Sequence, residues 1–350
     1  MTHTKSRRLR LAALAFLGTA SIIATSCSSP ASDGAIPEVV TATEAGPATA
    51  EGDQMRVTLL GTASPVLNSR RMGPATLVQA GGLNLVFDAG RGAPLRLQQA
   101  GIPLGSIDGT FLTHFHSDHV NGLPDLWLTG FIPAFGGREG SFDVYGPTGT
   151  AHIANGLADT YDQDIKVRVA DGEVKPETTK IVGHDFEHDG VVFDRNGVKV
   201  TMFEVQHDPK HAIEPAVGYR VDYRGHSALF SGDTIPVDNI LKYGAGVDVM
   251  VHEVADFADR SKMATVFAHH TSPQQAGTIF AQTKPKMAVY SHIVNGIPGR
   301  VPGISEQELV DRTRETYQGP LTVGRDLNSF LITSDGVKAT TIEPDNQYDN

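Results

Sequence analysis

The densest chemistry in the chain lies in Thr113-His114-Phe115-His116-Ser117-Asp118-His119. Its imidazoles and carboxylate offer closely spaced nitrogen and oxygen donors suited to zinc, or to iron or manganese. His114 and His116 stand two apart, so on an extended backbone they project to the same side and can share one ion. Asp118 and His119, turned away by a bend, can serve a second. Later candidates stand singly. His207 directly ends a predicted strand and has His211 as its competitor, Asp233 sits in Ser231-Gly232-Asp233-Thr234 after another strand, and His292 follows a third. Glu253 and His270 are residue types suited to acid–base work. His184, His188 and His226 lie in polar, Gly- or Asp-rich stretches and read as solvated turn residues.

These donors need elements to hold them. Runs rich in β-branched and aromatic residues predict strands over residues 55–60, 75–79, 83–87, 142–145, 165–169, 198–205, 217–223, 227–230, 247–251 and 287–291. The apolar stretch 120–131, directly after the histidine cluster, has helical character. Two further helices are predicted from their starts. Ser272-Pro273-Gln274-Gln275 reads as a capping box with Pro at the first helical position, and Ser305-Glu306-Gln307-Glu308 as another. Ile304 and Leu309 are spaced to staple the entry of the second. Strands interleaved with helices on this scale imply layered α/β packing, a sandwich of sheets covered by helices.

The 350 residues, 40% hydrophobic and 20% charged, suffice for a large folded domain with a sizeable core. The single cysteine excludes an intrachain disulfide framework and a cysteine-rich zinc site. A net charge of −11 gives no bulk attraction for a nucleic acid polymer, whose binding rests mainly on phosphate neutralisation.

The start of the chain reads as a targeting segment. Residues 1–10 are basic and residues 11–24 apolar, too short a run to span a bilayer comfortably, as in a secretory signal. Ala24-Thr25-Ser26-Cys27 resembles the lipobox of bacterial lipoproteins. That resemblance implies cleavage of residues 1–26, a lipid anchor on Cys27 and export to the bacterial cell envelope or periplasm. Lys5, Arg7, Arg8 and Arg10 would leave with the segment, so 25 basic residues would face 40 acidic ones, a charge of −15. Residues 28–54 hold mostly Ala, Ser, Thr, Pro and Gly with no Lys or Arg, the composition of a disordered tether. The folded domain is therefore expected over residues 55–350.

His114-x-His116-x-Asp118-His119 resembles the signature motif of the metallo-β-lactamase superfamily, and the similarity runs from about residue 55 to 335. The resemblance implies a four-layer αββα sandwich and a dizinc hydrolase. It places His114, His116 and His207 on one ion, Asp118, His119 and His292 on the other, and Asp233 between them. Phe87-Asp88-Ala89-Gly90 is similar to the strand-end element whose aspartate supports the metal loop by hydrogen bonding. Within the superfamily, Val251-His252-Glu253-Val254-Ala255, His270-Thr271-Ser272 and Tyr145-Gly146-Pro147-Thr148-Gly149 resemble the tRNA-processing branch, ribonuclease Z. On that likeness Glu253 orients His270, which protonates the leaving oxygen, while Asp118 also orients the attacking water. The acidic charge and the lack of a Lys/Arg-rich insertion argue against tRNA. Residues 122–130 and Phe87-Asp88-Ala89-Gly90-Arg91-Gly92 are similar to arylsulfatase-like members. The expectation is thus an exported hydrolase of small sulfate esters. A phosphodiesterase of small diesters or cyclic nucleotides is the alternative, and a non-catalytic zinc- or anion-binding lipoprotein the third reading. A small-molecule ester is the expected partner, and the resemblance admits a homodimer.

Overall fold

The computed structural model describes residues 52–208, 210 and 214–344, together with the backbone of residues 42–44. The expected signal segment, Cys27, His211 and most of the expected tether lie outside the described residues. Among the described residues the strands form a sheet of nine and a sheet of seven. Alternation along the strands explains why the sheets stack. In Met55–Gly61, Met55, Val57 and Leu59 join the apolar core that draws on both sheets, while Leu60 points to the outer layer. In Val249–Ala255 of the other sheet, Val249 and Val251 meet the same central core, and Met250 and Val254 face outward. Each outer face is then covered. Helices Ala93–Gln99, Leu123–Gly130 and Thr150–Thr160 pack on the nine-stranded sheet around fully buried Trp127. Helices Asp238–Gly244, Pro273–Thr283 and Glu306–Arg314 pack on the seven-stranded one around Phe280. This is the four-layer αββα sandwich expected from the sequence.

Both predicted capping boxes form. Ser272 and Gln275 exchange side-chain and backbone hydrogen bonds at one helix start, as do Ser305 and Glu308 at the other. Ile304 and Leu309 are buried in one apolar cluster, as a staple requires. Other expectations need correction. Residues 165–169, read as a strand, belong to helix Asp162–Ala170. Its i,i+4 pairs Lys166–Asp162 and Arg168–Asp164 and the docking of Ile165 and Val169 onto the outer core favour a helical over an extended backbone. The stretch 120–131 is divided into Ser117–Val120 and Leu123–Gly130 by a turn at Asn121 and Gly122, where a Cβ on Gly122 would collide with the Gly90 carbonyl at 2.2 Å. His184 is no turn residue but lies in strand Ile181–Phe186, stacked on Tyr145 and bonded to Asp143 at 2.8 Å. His226 opens strand His226–Phe230 and is only partly exposed. The tether expectation is also incomplete, because Ala42–Glu44 pairs in parallel with Gly336–Ile342 and the Tyr223 hydroxyl donates to the Gly52 carbonyl.

The fold sets one rim apart. Strands Leu83–Phe87, Ile107–Phe111 and Phe142–Pro147 run parallel in one sheet, as do His226–Phe230, Val249–Ala255 and Met287–Val294 in the other. The segments bearing Asp88, His114–His119, Asp233 and His292 all follow or end these strands, the edge at which α/β sheets characteristically carry their sites.

Candidate metal centre

Each side chain of the cluster is aimed by its strand end. His114, His116, His207 and Asp233 each place a ligand-type atom within 4.8 Å of the others. Asp118, His119 and His292 form a second such group, and Asp233, His270 and His292 a third. Asp233 holds the centre. Its Oδ2 lies 3.9 Å from His114 Nε2, 3.7 Å from His207 Nε2, 3.4 Å from His119 Nε2 and 3.3 Å from His292 Nε2. His207 Nε2 is 3.2 Å from His116 Nδ1, and His292 Nε2 is 3.2 Å from Asp118 Oδ2. The structure therefore brings together all seven donors picked out in the sequence, from four separate segments.

The opposite ring nitrogens are tied down. His119 Nδ1 bonds Asp88 Oδ2 at 2.8 Å, His207 Nδ1 bonds the His269 carbonyl at 2.9 Å, and His114 Nδ1 meets Thr113 Oγ1 at 3.1 Å. Asp88 also accepts from the Thr113 backbone N–H at 2.8 Å, so one carboxylate fixes both ends of the histidine loop. Such outer partners orient metal-binding histidines. Asp88 itself takes a left-handed backbone, φ 57°, uncommon outside glycine and enriched at Asn and Asp.

His292 is aimed by a different device. Strands Val249–Ala255 and Met287–Val294 pair Glu253 with Ser291 and then Val254 with Ile293, leaving His292 as the extra residue of a bulge. Its φ of 42° turns the ring off the ladder and toward the cluster. Gly232, just before Asp233, has φ 60°, and a Cβ there would lie 2.6 Å from the Val217 carbonyl. Only glycine allows the chain so close at that turn.

The donor set fits a cation. His114 Nε2, His119 Nε2 and Asp233 Oδ1 are buried without a hydrogen-bond partner, a cost of about 1–3 kcal/mol each unless something else satisfies them. Burial lowers the His114 pKa well below its usual value and lowers that of His207 to about 4, which keeps both imidazoles neutral and able to donate lone pairs. For Asp233, burial opposes ionisation, but His292 and His119 outweigh it and hold the carboxyl well below the usual range. For Asp118 the hydrogen bond from His292 and the charge of His119 likewise outweigh burial. At His119 burial opposes a charge, but Asp233 and Asp88 outweigh it and raise the pKa well above the usual value, so a metal ion would take the place of its proton at Nε2. A buried pocket that joins ionised Asp233 and Asp118 to the neutral imidazoles of His114 and His207 is a binding environment for a divalent metal.

An acid–base pair abuts this cluster. His270 Nδ1 lies 3.1 Å from Glu253 Oε1, and the His270 ring stacks on His292 at 5.5 Å between centroids. Glu253 is held in turn by the backbone N–H groups of Thr234 and Thr271, each at 3.1 Å. Burial opposes a charge on His270, yet Glu253 outweighs it and raises the pKa to about 9. Thr113, Thr234 and Thr271 were missed in the sequence. Each sits directly beside a candidate residue or within its motif, and that adjacency was the available signal.

A two-sheet sandwich with a His/Asp cluster on its strand-end rim defines a metal-dependent hydrolase of the metallo-β-lactamase fold. The chain belongs to the metallo-β-lactamase superfamily, and the family model for a β-lactamase superfamily domain matches residues 83–293. Ribonuclease Z of Mycobacterium avium is 32% identical over 285 residues, covering 79% of this chain and 98% of the relative. Two solved structures share the fold. A metallo-β-lactamase fold protein, YhfI, from Bacillus subtilis aligns with a TM-score of 0.60 at 16% identity, covering 80% of this chain and all of that one. The short form of human tRNase Z aligns with a TM-score of 0.57 at 21% identity, covering 78% and 98%. The chain is thus a hydrolase homologous to ribonuclease Z, with clustered His and Asp donors for divalent metal.

Proposed function

We propose that this chain is a phosphodiesterase that acts on small phosphodiesters, cyclic nucleotides included, with two divalent ions, zinc foremost. The observation that carries this reading is the Glu253–His270 pair set against Asp233 and His292, an acid held ready at the edge of a donor cluster. The homology supports it, since a ribonuclease cleaves phosphodiester bonds. In this reading His114, His116 and His207 would hold one ion and Asp118, His119 and His292 the other, with Asp233 available to both. Ions bound there would supply Lewis acidity and water acidified toward neutral pH. The chain's own groups do the rest. Asp118 orients the attacking water, and Glu253 fixes His270 through Nδ1 so that Nε2 can give its proton to the leaving oxygen. The net charge of −11 disfavours a long polyanion as substrate.

The sulfate esters expected from the arylsulfatase-like stretches draw no support from the ribonuclease relatives, and both esters are tetrahedral. Side-by-side turnover of bis(p-nitrophenyl) phosphate and p-nitrophenyl sulfate by the zinc-loaded protein separates them. Faster cleavage of the diester is expected, and faster cleavage of the sulfate would overturn the reading. Export with a lipid on Cys27 is likewise a proposal, resting on the basic start, the apolar run and the small residues before Cys27. Labelled fatty acid should enter the wild-type protein and not Cys27→Ser. Equal labelling of the two, or none, refutes the anchor.

A further inference from the structure

We propose that the groove beside the metal cluster is a subsite for a second phosphate group on the substrate, gripped by Arg70 and Arg300. The proposal rests on the phosphodiesterase reading and names the substrate class more closely, as a phosphodiester carrying a further terminal phosphate.

The groove encloses about 1100 Å³ between the segments 63–71 and 293–306. It starts one residue beyond His292, where the Ile293 N–H donates to the Thr62 carbonyl at 3.0 Å and joins the two walls. One wall of the groove therefore continues directly from the strand that carries His292. Its charged lining residues are Arg70, Arg71, Arg300 and Glu306. Arg71 is already committed, with hydrogen bonds to Thr62 Oγ1, the Gly324 carbonyl and Glu306 at 2.7, 2.6 and 2.6 Å. The other oxygen of Glu306 accepts from Arg325 at 2.8 Å, so this acid is neutralised twice over. Arg70 and Arg300 are exposed, one on each wall, and neither side chain has an ion pair among the described residues.

Two uncommitted guanidinium groups on one groove therefore stand out in a chain of net charge −11. Guanidinium groups bind phosphate through paired, charge-assisted N–H bonds. The same walls carry apolar surface, Leu67 at 73% exposure and Pro298, against which a base or sugar can lie. A phosphorylated dinucleotide combines these requirements: a scissile diester for the cluster, a terminal phosphate for the arginines and an apolar body between.

The test compares the 5′-phosphorylated thymidine dinucleotide with its unphosphorylated counterpart on the zinc-loaded protein. Wild type is expected to prefer the phosphorylated substrate in kcat/KM, mainly through KM. Arg70→Ala and Arg300→Ala should each cut that preference by about tenfold, as loss of a charge-assisted contact does, with metal content unaltered. No preference in wild type, or a preference that survives in both variants, overturns the proposal. So does a kcat/KM that keeps rising with oligothymidylate length, which would mark a polymer track. If no diester is cleaved at all, the phosphodiesterase reading fails, and calorimetry with thymidine 5′-monophosphate judges the groove separately. Binding to wild type that weakens about tenfold in each variant supports the subsite, and equal binding or none removes it.

Discussion

The two sides of the cluster are built in opposite ways. His114, His116, Asp118 and His119 come from one short loop, tied at both ends to the single carboxylate of Asp88. The opposite side is assembled from distant pieces: the pair of Glu253 within a strand and His270 before a capped helix, and the donor His292 on a bulge of the neighbouring strand. The loop gathers its donors in a local unit, whereas on the proposed function the assembled side would make proton delivery depend on sheet pairing. Metal content and proton transfer should therefore be separable by mutation.

Asp233 is the residue that joins both sides, and its loss should have the largest effect. Asp233→Ala is expected to lower bound metal from about two ions per chain to one or fewer and to reduce turnover by at least roughly 10²–10³. Elemental analysis beside a rate measurement checks this, and two ions retained in the variant would show that the bridge is misassigned. His270→Ala should separate the sides, lowering turnover by roughly 10²–10⁴ with full metal content. The loss should be steepest for alkoxide-like leaving groups and shallowest for nitrophenolate. Glu253→Gln should show the same trend more weakly, because it acts through His270. A flat dependence on leaving-group pKa would mean that His270 only braces the loop. The smallest effect is expected from Asp88→Asn, which keeps the shape but weakens the hold on His119 Nδ1. Zinc affinity should fall about 10–100-fold in a chelator competition, while the leaving-group trend stays that of wild type.

The same contrast explains what the sequence made legible. The histidine loop announces itself because its donors are close together, and His207 and Asp233 because each comes shortly after a recognisable strand, three residues past its last residue in the structure. His292 could be picked out by likeness, but the bulge that aims it depends on pairing with residues 249–255 and leaves no local mark. Ile165, Val167 and Val169 alternate as a strand would, yet Ile165 and Val169 are also four apart, the spacing of one helix face. Tertiary packing decides between the two, because that pair docks on the outer core while Val167 stays 49% exposed. The Arg70–Arg300 groove had no sequence signal, since its walls lie far apart in the chain and meet only on folding, through the Thr62–Ile293 and Arg71–Glu306 hydrogen bonds among others.

The bulge at His292 also sets a schedule. During synthesis the loop at 114–119 emerges long before strand Met287–Val294, and the bulge exists only once that strand has paired with Val249–Ala255. A metal ion met early finds donors from one segment and can leave again. Secure loading of any ion that draws on His292 must wait for the seven-stranded sheet to gain this strand. A chain threaded unfolded through a membrane would accordingly arrive without its full complement and would have to take up metal on the far side.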